Sequence, residues 1–209
     1  MIIRTPRLVL RPMQREDLDA MAAWPRYPDP LDEIFNWPQM IHGNGTADLF
    51  FITRSADSRR REWTILATPK GHTAPAGDVV IGHLGIRDIQ PRPHSARLGI
   101  GLGLPYTGQG YGEEALRGFL DAFFGPLRFT RLYLDVSLHN TRALRLYRRL
   151  GFRELSTFWH DLGPAEDHAY LDDPHYDSIR EYLRWSAATV YMRYAAMVLH
   201  AEEWLPPQS

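Results

Sequence analysis

Residues 97–117 read RLGIGLGLPYTGQGYGEEALR, a strand that runs through a glycine loop into a helix. Gly108-Gln109-Gly110-Tyr111-Gly112 lets the backbone bend so that several N–H groups point at one spot. The helix that follows adds its own unpaired N–H groups and the positive end of its dipole. Together they can cradle a phosphate; a plain glycine-rich loop is the competing reading of these five residues. No GxxxxGK(S/T) occurs in the chain, which excludes a P-loop nucleotidase. Gly110, Gly112 and Ala115 do satisfy GxGxxA, with Asp135 roughly 20 residues on, the pattern of a dinucleotide site. Against it, Pro105, Tyr106 and Thr107 separate the glycines from their strand, and a hairpin-rich stretch precedes them.

The second informative stretch is 139–152, HNTRALRLYRRLGF. On a helix from Asn140, Tyr147 lies nearly two turns on, so both side chains share a face. Ala143 and Leu144 fall between them and leave a small-residue surface along which something slim can lie. Leu146 and Leu150 form the neighbouring core stripe, Gly151 ends the helix and Phe152 opens the next strand. Taken alone, Tyr147 reads as an amphipathic core tyrosine.

Outward from these two stretches the chain punctuates regularly. Strands are expected at 6–12, 61–68, 78–89, 95–104, 129–136 and 152–161. Helices are expected at Glu16 to Ala23, 46–56, 112–123 and 140–150, with another near 175–186 before a last apolar run at 188–199. Residues 24–44, rich in proline and aromatics, read as an ordered loop with a helical turn at 31–36, either lining a pocket or packed as a flap. Hairpins first and crossovers second give an α/β (α+β) fold: a mixed, mostly antiparallel central sheet with helices on both faces. One domain is expected over 1–209, with a core to residue 155 and an acidic, helical extension, 156–209, completing the sheet.

Composition narrows the function. The 209 residues contain no cysteine, which removes thiol nucleophiles, Cys-ligated zinc, iron–sulfur clusters and disulfides. Basic and acidic residues number 24 and 25, against the strong basic excess usual for a nucleic-acid binder. Arginines break every apolar run of MIIRTPRLVLRPM, so the start is neither a signal peptide nor a span, and no stretch approaches ~18 apolar residues. The expectation is a cytoplasmic protein with neither a nucleic-acid nor a membrane partner.

The pair TGQGYGEEAL and NTRALRLYRRLGF, about thirty residues apart, resembles the GNAT acetyltransferase superfamily, in the branch that acetylates protein N-terminal amines and small amines. TPRLVLRPMQREDLDAM is similar to that branch's first strand and helix, and the similarity runs over residues 1–155. The resemblance implies acetyl-CoA as co-substrate, with direct transfer of its acetyl group to a small-molecule or protein N-terminal amine. It implies that the amides of Gly108, Gln109, Gly110, Tyr111 and Gly112 hold the pyrophosphate. It also implies that backbone groups near Leu102 and Leu104 meet the pantetheine arm and thioester, that Asn140 contacts the pantetheine, and that Tyr147 faces the sulfur as general acid. Thr107 stands where the family often has Arg or Gln, which removes one side-chain contact but not the backbone cradle.

Charge is distributed in blocks. Residues 126–153 carry seven arginines against Asp135, a balance of +6, from which Arg148 and Arg149 are the candidates for phosphate contact. Residues 160–181 carry seven acids against Arg180, a balance of −6, read either as a solvated loop or as a segment near the acceptor mouth that favours cationic amines. The helix near 175–186 is alternatively a surface for a second subunit, making a homodimer. No metal-ligand spacing accompanies His160, His168 and His175. The general base is not legible: His83, Asp135, Glu33, His139 and a water chain all qualify. A non-catalytic acyl-CoA binder on the same fold is the second functional reading, and a dinucleotide enzyme the third.

Overall fold

The structure, a computed structural model, describes residues 1–35, 46–68, 78–92 and 94–204, with the side chains of 33–35 outside the description. The elements run β1 (Ile3–Arg4), β2 (Leu8–Pro12), α1 (Arg15–Ala22), α2 (Pro30–Phe35), α3 (Thr46–Ala56), β3 (Arg61–Ala67), β4 (Val79–Gln90) and β5 (Ser95–Leu102). They continue α4 (Tyr111–Phe124), β6 (Arg131–Ser137), α5 (Thr141–Arg149), β7 (Arg153–Pro164), β8 (Leu183–Trp185), β9 (Thr189–His200) and α6 (Ala201–Trp204). The described strands form one sheet ordered β1-β2-β3-β4-β5-β6-β9-β7, with β8 also on β9. The expected mixed, mostly antiparallel sheet is found, because only β5 and β6 pair in parallel.

That parallel pairing is short and it creates the site. It joins Ser95, Ala96 and Arg97 to Arg131, Leu132 and Tyr133, and then stops. Past it, β5 stays on β4 as far as Leu102 while β6 stays on β9 as far as Ser137. The sheet therefore splits into a wedge between the end of β5 and the end of β6.

Strand alternation sends opposite chemistry to the two faces. Leu84, Ile86 and Leu98 turn to one face and join α4 in the main core. In α4, Ala115, Leu116, Phe119, Leu120 and Phe123 form one buried stripe at helical spacing. Phe119 and Phe123 are fully buried, each contributing about 2–3 kcal/mol of transfer free energy. On the other face α1 and α3 pack Leu18, Met21, Ala47 and Phe50 as a separate cluster. Arg11 anchors that layer by donating to both carboxylate oxygens of buried Asp17, at 2.6 and 2.7 Å.

Two expectations need correction. The strand ending at Leu104 stops at Leu102, and Leu104 instead opens a 3-10 turn, Leu104–Tyr106, because Pro105 cannot donate to a ladder. The helix near 175–186 is a 3-10 segment, Pro174–Tyr182, running into β8. Pro174 fixes its start, and Tyr176, Ile179 and Tyr182 recur every third residue, the repeat that aligns side chains on a 3-10 helix. Its Tyr176 and Ile179 bury with Leu31 of α2 and Met192 of β9, so the acidic segment props the loop after α1. The apolar run at 188–199 forms β9, which inserts between β6 and β7. Among the described residues no helix is long and apolar enough to cross a membrane.

Candidate active site

A cleft of about 350 Å³ opens between the end of β5, the glycine loop and α5. Its walls include Leu102, Gly108, Gly110, Gly112, Asn140, Tyr147 and Arg149, so two motifs some thirty residues apart in sequence meet on one cavity. Gly108 and Gly110 have φ of +74° and +80°, left-handed values that a side chain would strain. With those bends, the N–H groups from Gly108 to Gly112 have no partner among the described residues; the first return bond of α4 is Glu114 N–H to Gly110 O, at 3.1 Å. Gly112 differs from the other two glycines. A Cβ there would meet Leu102 Cδ1 at 3.6 Å and Leu146 Cδ2 at 3.9 Å, ordinary contacts, so neither backbone nor packing demands glycine. What glycine preserves at Gly112 is room in the cleft beside exposed amides, which fits a pyrophosphate lying against the backbone.

The side of α5 facing the cleft carries Asn140, Ala143 and Tyr147 at spacings of three and four, with Leu146 beside them. Leu146 thus belongs to the cleft, while Leu144 is the buried core residue, the reverse of the sequence reading. Asn140 caps α5: its Oδ1 accepts from Ala143 N–H at 3.0 Å, and its amide N–H groups carry no bond among the described residues. The Tyr147 ring packs edge-on to Phe152, 5.8 Å between centroids. Burial pushes its phenol up to about 12, so at neutral pH the hydroxyl is protonated and is an uncharged hydrogen-bond donor. Among the described residues that hydroxyl has no hydrogen-bond partner, which leaves it available to a ligand.

The remaining expected residues are placed unevenly. Gln109 and Tyr111 contribute backbone to the loop, but the Gln109 side chain folds back on Pro105 O at 2.6 Å. Leu104 does not wall the cleft, and its carbonyl accepts from Thr107 N–H and Oγ1, at 3.2 and 3.0 Å. Arg148 does not reach the cleft either; it stands 3.6 Å from Glu154. Arg149 is there, held 2.5 Å from Glu113, and Arg142 joins it on the wall. Of the candidate bases, Asp135 is tied to Arg97 and lies outside the cleft, and Glu33 has no described side chain. His139 does not line the cleft, and desolvation with nearby Arg54 lowers His83 to about 3.

Three contributors were not foreseen. Arg7 of the β1–β2 turn donates through Nε to Glu114 Oε2 at 2.5 Å and through Nη1 to Gln109 O at 3.1 Å. It also covers the Tyr111 ring at 4.5 Å, which braces the glycine loop from behind. Tyr27, in the aromatic loop, donates to Leu102 O at 2.9 Å, and Trp24 lies against Gly103. The described part of that loop is therefore a flap on the end of β5. No local signal marks Arg7, because its partner Glu114 is 107 residues away in sequence.

A family profile for the acetyltransferase (GNAT) domain matches residues 7–153. The N-alpha-acetyltransferase RimI of Mycobacterium tuberculosis is 34% identical over 98 residues, 43% of this chain and 57% of RimI, so the chain spans little more than half of that relative. The spermidine N(1)-acetyltransferase of Vibrio cholerae is 25% identical over 162 residues, 71% of this chain and 80% of the relative. Among solved structures, the Vibrio cholerae spermidine N-acetyltransferase in complex with CoA and spermine superposes with a TM-score of 0.67 at 18% identity, covering 96% of this chain and 99% of that one. An acetyltransferase of the GNAT family from Bacillus anthracis superposes with a TM-score of 0.65 at 15% identity, covering 97% of this chain and all of the other. Profile, wedge and glycine cradle agree: the chain belongs to the GNAT acetyltransferase family, which transfers the acetyl group of acetyl-CoA to an amine.

Proposed function

We propose that this chain is an N-acetyltransferase in which acetyl donor and amine meet in one ternary complex, without an acyl-enzyme. The observation that carries the reading is the meeting of Tyr147, Asn140 and the loop glycines Gly108, Gly110 and Gly112 on one cleft, with the loop amides unpaired among the described residues. Acetyl-CoA, when bound, supplies a thioester and a thiol leaving group. The loop amides and Arg149 bind its phosphates, the slim face of Ala143 accommodates its arm, and the unused amide N–H groups of Asn140 donate to it. Attack by the amine nitrogen forms the C–N bond as the C–S bond breaks; the nitrogen loses a proton and the departing sulfur receives one. Tyr147 passes that second proton to the sulfur from its hydroxyl, which solvent then reprotonates. Zero cysteines support direct transfer. The first proton is assigned to water, since among the described residues none of His83, Asp135 and His139 lines the cleft.

Thiol release from acetyl-CoA across a panel of amines, beside calorimetric titration with acetyl-CoA and NAD, tests the reading. Expected are CoA release with at least one amine and no heat with NAD. Binding of acetyl-CoA without release for any amine would mark a non-catalytic binder instead.

The acceptor is an amine of the small-molecule or N-terminal kind on which the relatives named above act, and the proposed location is the cytoplasm. We also propose a homodimer through β7. This 12-residue strand is the sheet's edge and exposes Leu155, Phe158 and Trp159. A two-fold pairing centred on Thr157 sets Arg153 opposite Asp161, Glu154 opposite His160 and Leu155 opposite Trp159. Sedimentation should give a dimer that Trp159→Lys converts to a folded monomer; a monomeric parent protein refutes it.

A further inference from the structure

A second cavity, about 290 Å³, lies on the sheet face opposite α4, walled by Arg54, Arg60, Arg87, Glu62, His83 and Gly99 among others. It adjoins the wedge. Gly99 lies on the part of β5 that has left β6, and a Cβ there would meet nothing within 4 Å. Two residues further, Gly101 belongs to the cofactor cleft, and His83 of the second cavity lies directly over it. Gly99 on the second cavity and Gly101 on the cofactor cleft are thus about 7 Å apart along one strand.

The charge of this cavity is one-sided. Among the described residues three guanidiniums line it against one carboxylate, Glu62, whose Oε1 already accepts from Arg54 at 2.8 Å and Arg60 at 3.2 Å. Arg87 sits 3.6 Å from Asp88 and from Asp135, too far to hydrogen-bond either, and makes no hydrogen bond among the described residues. Asp57 stands 4.0 Å from Arg60 on the outside, and Asp135 already accepts from Arg97. Burial lowers the Arg54 pKa, and the neighbouring Arg60 and Arg87 depress it further, a crowding of cations that a bound anion would relieve. The acidic block does not compensate: none of the seven acids of 160–181 lines this cavity or the cofactor cleft.

We infer that this cavity receives the far end of the acceptor and reads a carboxylate there through Arg87, Arg60 and Arg54. The inference rests on the acetyltransferase reading above and narrows its acceptor to an amine that also carries a carboxylate several bonds away. A guanidinium pair suits a carboxylate in geometry as well as charge, whereas a polyamine would bring more cations to an already cationic wall. On this inference the acceptor mouth is basic, and residues 160–181 keep the other sequence reading, that of a solvated segment.

The test uses the full chain, saturating acetyl-CoA and pairs of amines that differ by one carboxylate: lysine with cadaverine, ornithine with putrescine, γ-aminobutyrate with propylamine. Initial rates of CoA release should favour the carboxylated member by roughly tenfold to a hundredfold in kcat/KM, the worth of one charge-assisted bond. The gain should lie in KM. Arg87→Gln and, separately, Arg60→Gln should each shrink that ratio about tenfold while the KM for acetyl-CoA stays constant. Equal rates within each pair, preference for the decarboxylated member, or a ratio untouched by both variants overturns the carboxylate site while leaving the acetyltransferase intact. No CoA release from any amine, with acetyl-CoA still bound, overturns both.

Discussion

Replacing Tyr147 by Phe removes one oxygen from the wall of the cofactor cleft, and the structure sets what that should cost. The hydroxyl has no protein partner among the described residues, and the Phe152 contact is made by the ring, so folding loses no hydrogen bond. Thermal stability should therefore change by no more than about 1 kcal/mol, the net worth of one such bond. Calorimetric Kd for acetyl-CoA should also hold, because the phosphate contacts come from the loop amides and Arg149. Turnover should not hold: a positioned acid contributes roughly 10²–10⁴-fold, equivalent to about 2.7–5.4 kcal/mol at the transition state. The pH profile gives a second reading. Burial raises the phenol to about 12, so the donor form persists throughout the working range and kcat should show no falling limb below about pH 10. A Tyr147→Phe enzyme with full kcat on a good acceptor refutes the role; a lower kcat with Kd weakened in proportion would show that the tyrosine binds rather than donates.

Gly112→Ala should leave the melting temperature unchanged or raise it, because alanine is the better helix former by about 1 kcal/mol and its Cβ meets only ordinary contacts, yet KM for acetyl-CoA should rise at least about tenfold. Arg7→Gln removes the brace behind the glycine loop and leaves Glu114 without its ion pair; urea titration should show about 1–2 kcal/mol lost and KM for acetyl-CoA should rise with kcat nearly constant. Asp17→Asn should cost about 3–5 kcal/mol at neutral pH, since Arg11 would keep its burial and lose its charge partner. Burial by itself raises the Asp17 carboxyl, but hydrogen bonds from Arg11, Thr64 and the Gln14 N–H outweigh it and hold the pKa below its ordinary value. Its contribution is thus complete above about pH 4 and disappears as pH falls through the lowered pKa, so Asp17→Asn should flatten the acid limb of a stability curve.

The glycine loop and α5 were legible because each is local. Gly108 and Gly110 must bend the chain wherever it goes, Asn140 caps the helix it begins, and the spacing from Asn140 to Tyr147 sets them on one face whatever packs against it. Leu146 was misassigned for the opposite reason. Helical spacing says which residues share a stripe, but the neighbouring element decides whether a stripe is core or wall. Likewise the basic excess of 126–153 was readable, but not its destinations: Arg148 goes to Glu154, Arg153 to Glu203, and only Arg142 and Arg149 to the cleft.

What the sequence determined by itself was the chemistry that backbone geometry carries: a phosphate cradle, a helix with an amide cap and a tyrosine above it, and no thiol for an acyl-enzyme. What only the tertiary structure decided was everything that depends on distant partners. The parallel pairing of β5 with β6 ends at Arg97, and no property of Gly99 or Leu134 alone foretells that break. Arg7 finds Glu114 across 107 residues, and α3 brings Arg54 over β3 and β4 to make a basic cavity from residues scattered between 54 and 99. Local conformational preferences act over a few bonds, whereas a cavity's shape and charge come from sheet register and layer packing, which are settled only when the whole chain has folded.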